Sequence, residues 1–341
     1  MPSLLTIAVP TYNRAAHLEA LLARLGAEVS GLQGVVEIIV SDNASTDRTA
    51  DVVAAFRVAC PAARTLRNGV NLGPDRNIGQ CFKQAESDYL WIVGDDDLPQ
   101  PGVIRGLVEL LRRERPAIVY LDSQWVPSTA TAGTQPLDVS LRCRTLDRAA
   151  FAKHVHVWLT FISGVVIDLT GLTTERRDAL ACRYIGTSLV QLGWVLDALD
   201  RGSRFVHVPC PCVLATAGNT GGYAVLQTFG ANFKSIVFDS LASRPGLARA
   251  ILLRHLVCYL PGLVWGVRRG RLGRFSDEQS WDVLRMALGR YVAFWLLVAP
   301  VARAPKPVAW CALQAGRVAS RLLRLADRLA ARAPLSAART T

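Results

Sequence analysis

The chain has 341 residues, 51% of them hydrophobic, which is enough for one large domain with an appendage or for two domains. Its eight cysteines form no CxxC pair and no Cys/His ligand cluster, and Met1-Pro2-Ser3-Leu4-Leu5 is not a secretory leader. The pattern excludes a disulfide scaffold or zinc module and predicts reduced thiols in a cytoplasmic protein. The net charge of +12 is uneven: residues 1–243 hold 22 basic and 23 acidic side chains, residues 244–341 hold 17 and 4, so two differently built regions share the chain.

Leu4 to Pro10 is a short apolar, β-branched run that predicts a strand, and Leu18, Leu21, Leu22 and Leu25 recur at helical spacing after it. Val35 to Val40 predicts a second strand. It is followed by the polar turn Ser41 to Asp47, rich in helix-capping residues, and by a helix through Val58. A third unit runs through Thr65-Leu66-Arg67, the loop Asn68 to Pro74, and a helix from about Arg76 to Ala85. Tyr89 to Val93 then reads as a buried strand, with Leu98 to Gly102 as a loop beyond it. This alternation predicts a mostly parallel sheet with helices on both faces, whose ligands bind beyond the carboxyl ends of the strands.

Every unusual polar cluster falls at such an end: Thr11-Tyr12-Asn13, Ser41-Asp42-Asn43 and Gly94-Asp95-Asp96-Asp97. Asp42 fits either a helix cap or an acceptor for a base or ribose hydroxyl. Three consecutive acids repel one another and call for a countercharge. A divalent cation such as Mg²⁺ or Mn²⁺ supplies one and completes its shell with substrate phosphates; a solvated acidic turn is the alternative.

These residues resemble family 2 glycosyltransferases of the GT-A fold. The resemblance rests on four ordered segments over about residues 4–110: Ile7 to Arg14, Glu37 to Asp47, Asn71-Leu72-Gly73 with Asn77, and Gly94 to Asp97. The wording Asn71-Leu72-Gly73-Pro74-Asp75-Arg76-Asn77 and the downstream Gly218 to Tyr223 most resemble the abequosyltransferase-type subgroup of bacterial surface-polysaccharide enzymes. The resemblance implies a Rossmann-like GT-A domain over 1–243, with a nucleotide-sugar half at 1–110 and an acceptor-side half at 111–243. It also implies a nucleotide-sugar donor bound by Pro10, Thr11, Tyr12, Asn13, Asp42, Asn43, Asp75, Arg76, Asp95 and Asn219, and a glycan or polyprenyl-diphosphate-linked acceptor. In the family's Asp-any-Asp metal motif the second Asp falls on Asp96 and the first on Gly94. Asp95 would replace the missing carboxylate, or the metal would rely on Asp96, Asp97 and phosphate oxygens.

Family members usually draw a general base from a Glu-Asp pair opening a helix in the second half of the domain. The matching stretch, Tyr184 to Leu192, holds no carboxylate, which leaves Asp197, Asp200, His207 and Asp168 as titratable candidates. A nucleotidyltransferase would also place acids and a metal at strand ends, but it would want a glycine- and base-rich loop where Pro10 to Arg14 stands. A non-catalytic donor-binding relative is the reading that the missing base favours.

Residues 244–341 read as helices with apolar runs edged by arginine. Leu256–Val267 and Tyr291–Ala302 are too short to span a bilayer. In the last helix Val318, Leu322, Leu325 and Leu329 form one stripe, and Arg317, Arg321, Arg324, Arg328 and Arg332 another beside it. This pattern suits either attachment to the anionic inner face of the cytoplasmic membrane or a helical bundle with a solvated basic face. Nucleic acid is excluded as a partner, because aromatics are not interleaved with the charges and no finger or helix-turn-helix spacing occurs.

Overall fold

The structure is a computed structural model that describes residues 2–127, 141–217, 222–270 and 281–330, the side chains of 328–330 excepted. Its first half alternates β1 (Leu5–Thr11), α1 (Ala15–Glu28), β2 (Val36–Asp42), α2 (Thr49–Ala59), β3 (Arg64–Arg67), α3 (Pro74–Gln84) and β4 (Tyr89–Ile92), as expected. β1 pairs in parallel with β2 on one side and β4 on the other, and β2 pairs in parallel with β3. β1 and β4 are buried on both faces, which is why they read as nearly continuous apolar runs rather than alternating ones.

The second half departs from a uniform parallel sheet. After β5 (Leu98–Pro99) and α4 (Val103–Glu114) come β6 (Ile118–Val126), β7 (Arg144–Leu146), α5 (Arg148–Val155), β8 (Val165–Asp168), α6 (Thr174–Cys182), α7 (Leu192–Arg201) and β9 (Phe205–Thr216). The order is β3-β2-β1-β4-β8-β6-β9-β5, with β7 on β9; β8 runs antiparallel between β4 and β6, while β6 and β9 are parallel. Leu98-Pro99, expected in a loop, instead form an edge strand on Val213-Leu214 of β9. Proline is tolerated there because an edge position needs no second ladder donor.

The two faces carry separate apolar cores. Leu5, Ile7 and Val9 meet Leu18, Leu21 and Leu25 of α1 and Val103, Leu107 and Leu111 of α4. Ala8, Ile39 and Ile92 point the other way, toward Phe82 of α3 and Trp194 of α7, whose rings stack 4.3 Å apart. α3 lies so near α6 that a Cβ on Gly79 would stand 2.7 Å from the Ala181 carbonyl, so only glycine permits the approach.

The basic region continues this packing. It follows α8 (Phe233–Ser240) and comprises α9 (Pro245–Cys258), α10 (Leu260–Arg268), α11 (Trp281–Leu288), α12 (Ala299–Arg303) and α13 (Lys306–Ala330). Ala248 and Ile251 of α9 belong to the core beneath the sheet, and Leu252 and Leu256 belong to a third cluster among the carboxy-terminal helices. The charge boundary at Arg244 is therefore not a packing boundary. Among the described residues no single helix is long and apolar enough to cross a membrane. α9 and α10, bent by 41°, reach that length and composition only as a pair.

Candidate functional site

β1 lies between β2 and β4, so strand order reverses at β1, the place where open α/β sheets gather ligands. Thr11 at the tip of β1 donates its hydroxyl to Asp95 Oδ2 at 2.7 Å, across to the turn that follows β4. Arg14 reaches the same turn, with Nη1 3.1 Å from Asp95 Oδ1 and 2.6 Å from Asp96 Oδ2. The turn is not a solvated one, since Asp95 and Asp97 are each only 6% exposed. The countercharge within it is Arg14, a residue of the matched motif to which the sequence attached no role.

Asp97 is held from the other side. Its Oδ2 accepts the Ser163 hydroxyl at 2.5 Å, its Oδ1 accepts the Thr216 N–H at 3.1 Å, and the Thr216 hydroxyl donates to the Asp96 carbonyl at 2.6 Å. Burial pushes the Asp95 carboxyl up to about 6 against the pull of Arg14. Burial again, opposed by the Ser163 hydroxyl, pushes Asp97 up to about 7. Neither Ser163 nor Thr216 carried a sequence signal. Ser163 precedes β8 and Thr216 ends β9, and only the strand order brings both to the tip of β4.

Gly94 explains the departure from Asp-any-Asp. A Cβ there would meet Asp97 Oδ2 at 3.1 Å, Asp96 Oδ1 at 3.3 Å and Ser163 Oγ at 3.4 Å. Two carboxylate oxygens thus crowd the space that a first aspartate's side chain would need. An all-oxygen set suits a hard cation. Among the described residues no three His, Cys, Asp or Glu side chains form a metal cage. A cation at these acids would therefore be held by one or two carboxylates rather than by a protein cage.

The second strand tip is a polar lattice. Asp42, 3% exposed, accepts the Ser45 N–H at 2.9 Å and pairs through Oδ2 with Arg67 at 2.5 Å. It thus closes a local turn rather than capping α2, whose N-cap is Arg48, and joins a cation at the tip of β3 that the sequence did not single out. Asn43 accepts from Leu72 N–H and Asn68 Nδ2, both at 2.9 Å, and donates to Asn71 at 2.8 Å. Asn77 and Ser41 exchange bonds of 2.7 and 3.0 Å. Asn13 sits at φ +52° and accepts from Thr46 N–H at 2.7 Å, tying the first turn to the second. Pro10 lies in β1 beside Ser41, Tyr12 is 41% exposed, and Arg76 is exposed at the start of α3. Asn219 lies outside the described residues.

Asp75 joins α3 to a distant segment. Its Oδ2 accepts the backbone N–H of Gly186 at 2.7 Å and of Ser188 at 3.0 Å, and burial raises its pKa. The stretch that lacks a carboxylate of its own thus receives one from α3, spent on holding Gly186 at φ +85° and Ser188 at φ +60°.

The candidate bases are occupied elsewhere. Asp197 pairs with Arg176 and, at 2.7 Å, with Arg201. Asp200 pairs with Arg244, joining α7 to the start of α9. Asp168 stands opposite Tyr89, at the end of β4 away from the acids. His207 is buried within β9, 3.0 Å from Asp122 and with its ring 4.4 Å from that of His154. The Asp197–Arg176, Asp200–Arg244 and His207–Asp122 contacts each join one element to another, whereas the Asp168 side chain bonds Thr170 within its own turn.

The Glycosyl transferase family 2 profile matches residues 6–157. Abequosyltransferase RfbV of Salmonella typhimurium is 40% identical over 238 residues, 63% of this chain and 67% of that protein. The chain belongs to glycosyltransferase family 2. An undecaprenyl-phosphate 4-deoxy-4-formamido-L-arabinose transferase of Pseudomonas paraeruginosa is 35% identical over 100 residues, 29% of each chain. This glycosyltransferase also shares its fold with Staphylococcus aureus TarS 1–349 in complex with UDP-GlcNAc. The TM-score is 0.57 at 15% identity, over 95% of this chain and 92% of that one.

Proposed function

We propose that this glycosyltransferase moves a sugar, in a metal-dependent reaction, from a nucleoside-diphosphate donor to a glycan carried on a polyprenyl diphosphate. The setting is assembly of a bacterial surface polysaccharide of O-antigen or capsule type, at the inner face of the cytoplasmic membrane. The observation that carries this reading is the Thr11–Asp95 bond, which places the three acids at the strand-order reversal beside the tip of β1. The similarity to RfbV supports the polysaccharide setting.

In this reading the Asp42–Arg67 pair and the Asn43 lattice shape the base and ribose end of the crevice, and the acids beyond the tip of β4 stand at its diphosphate end. Mn²⁺ or Mg²⁺, if held by Asp96 with Asp95 or Asp97, would supply positive charge against the negative charge of a departing nucleoside diphosphate. Ser163 and Thr216 hold the Asp97 carboxylate in place, and Arg14 steadies Asp95.

The test is incubation with a panel of nucleotide sugars and polyprenyl-linked acceptors, with Mn²⁺ or with chelator, reading nucleoside diphosphate and glycosylated lipid. Asp96→Ala is expected to lower transfer by about two to three orders of magnitude. Pyrophosphate release from sugar phosphate and nucleoside triphosphate would instead support a nucleotidyltransferase. Unchanged donor binding and transfer in Asp96→Ala would refute the assignment of the acids.

A further inference from the structure

α13 has two apolar faces, and only one of them is used. Ala309, Leu313, Gly316 and Ser320 are buried, with Gly316 against Val257 and Pro261, and Asp327 bonds Arg254 of α9 at 2.7 Å. On the opposite side Val308, Cys311, Ala315, Val318, Leu322 and Leu325 follow one another in steps of three and four residues, and all six are exposed. At about 100° per residue this set is centred roughly half a turn from the buried one and runs for about 26 Å. Exposure of 52% at Val318, 61% at Leu322 and 52% at Leu325 shows that nothing among the described residues covers it. A continuous stripe of this kind is uncommon on a monomer's surface and marks an interaction site.

Charge decides what covers it. Arg317, Arg321 and Arg324 are exposed along one edge of the stripe, with Trp310, 54% exposed, near its start. The sole acid within α13 is Asp327, already bonded to Arg254. A second copy would set one arginine-edged stripe against another, within regions that each carry 17 basic and 4 acidic residues. An anionic bilayer answers both features at once: apolar side chains enter the headgroup boundary, arginines reach phosphates, and a tryptophan settles at the interface. The segment before α12 adds exposed Trp295 and Leu296.

We propose that the outer face of α13 lies along an anionic membrane surface, with Val318, Leu322 and Leu325 in the headgroup boundary and Arg317, Arg321 and Arg324 on lipid phosphates. The proposal rests on the membrane location given above and names the surface that makes it. Its test uses neither donor nor acceptor, so it can fail while the transferase reading stands, and the reverse.

The full chain is floated with phosphatidylcholine vesicles, with and without phosphatidylglycerol, at low and high salt. Binding is expected only with phosphatidylglycerol and is expected to fall with salt. Leu322→Ser with Leu325→Ser should lower the partition coefficient at least about tenfold. Replacing the three arginines by glutamine should lower it about a hundredfold and flatten the salt response. The thermal melt should hold in both variants, since the inner face is untouched; if the serine variant melts early, the glutamine variant alone decides. Equal binding by wild type and glutamine variant, equal binding to neutral vesicles, or a dimer in sedimentation that the serine substitutions dissociate would each overturn the proposal.

Discussion

Arg14 and Asp96 are joined by an ion pair of 2.6 Å that links the turn after β1 to the turn after β4. Arg14 also lies 3.1 Å from Asp95, so one guanidinium balances two of three consecutive carboxylates. In a ligand-free crevice this internal cation competes with an external one for the same oxygens. Arg14→Met is expected to raise the affinity of the donor-free protein for Mn²⁺, read by isothermal titration. Without metal it should destabilise the fold by about 2 kcal/mol, below the cost of breaking a fully buried pair because Arg14 keeps 25% of its side chain in water. An unchanged Mn²⁺ affinity would show that the pair does not guard the acids.

Gly94 makes a second expectation specific. Restoring the family's first aspartate with Gly94→Asp should lower stability by about 1–3 kcal/mol, because its Cβ would stand 3.1 Å from Asp97 Oδ2. Adding Asp97→Ser removes that oxygen and should recover much of the loss in a denaturant titration. Additive penalties would mean that the two side chains do not contend for one space.

Asp75 is expected to act through the loop it holds. Asp75→Ala leaves the Gly186 and Ser188 N–H groups without their acceptor and should cost about 1–3 kcal/mol. Hydrogen exchange at residues 186–188 should quicken at least about tenfold while the core of β1 stays protected. Asp75→Asn, which keeps an acceptor oxygen, should restore part of the protection.

Acid should unfold the protein partly through its buried histidines. His255, wholly buried with Nε2 2.7 Å from the Phe229 carbonyl, is pushed down to about 4 by burial, and His156 to about 3. A lowered folded-state value means stability that is complete above about pH 6.5 and is lost as pH falls toward 4. Asp95 and Asp97, raised by burial to about 6 and 7, act in the opposite sense: their contribution is complete below about pH 4 and is lost as pH rises through those values. His255→Gln, which keeps a donor for Phe229, should flatten the acid limb of the stability curve by up to about 3 kcal/mol in denaturant titrations between pH 7 and pH 4. An acid limb as steep as wild type would place the acid sensitivity elsewhere.

Much of the amino-terminal half was legible from local pattern alone. The runs Leu5–Thr11, Val36–Asp42 and Tyr89–Ile92 are mostly apolar, with little alternation, because parallel strands inside the sheet are buried on both faces, and polar turns follow them. Family 2 membership was legible too, since its motifs are contiguous and close to the strand tips. By the same local logic, the spacing of the last helix showed an apolar stripe beside a basic one.

What the chain could not disclose one residue at a time was partnership between distant segments. Arg14 is a motif residue until the turn after β4 is folded against it, and Asp75 reads as a helix-start acid until residues 186–188, more than a hundred positions away, deliver their N–H groups. Ser163 and Thr216 reach Asp97 only because β8 and β9 enter the sheet where they do. Asp197, Asp200 and His207 stand without partners in a sequence, yet in the fold each lies against one: Arg201, Arg244 and Asp122. Periodicity and motif are properties of neighbours along the chain, so the sequence by itself determined the strands, the turns and the family. Hydrogen bonds and ion pairs form between neighbours in space, and so only the tertiary structure decided which partners the carboxylates take and which face of α13 stays bare.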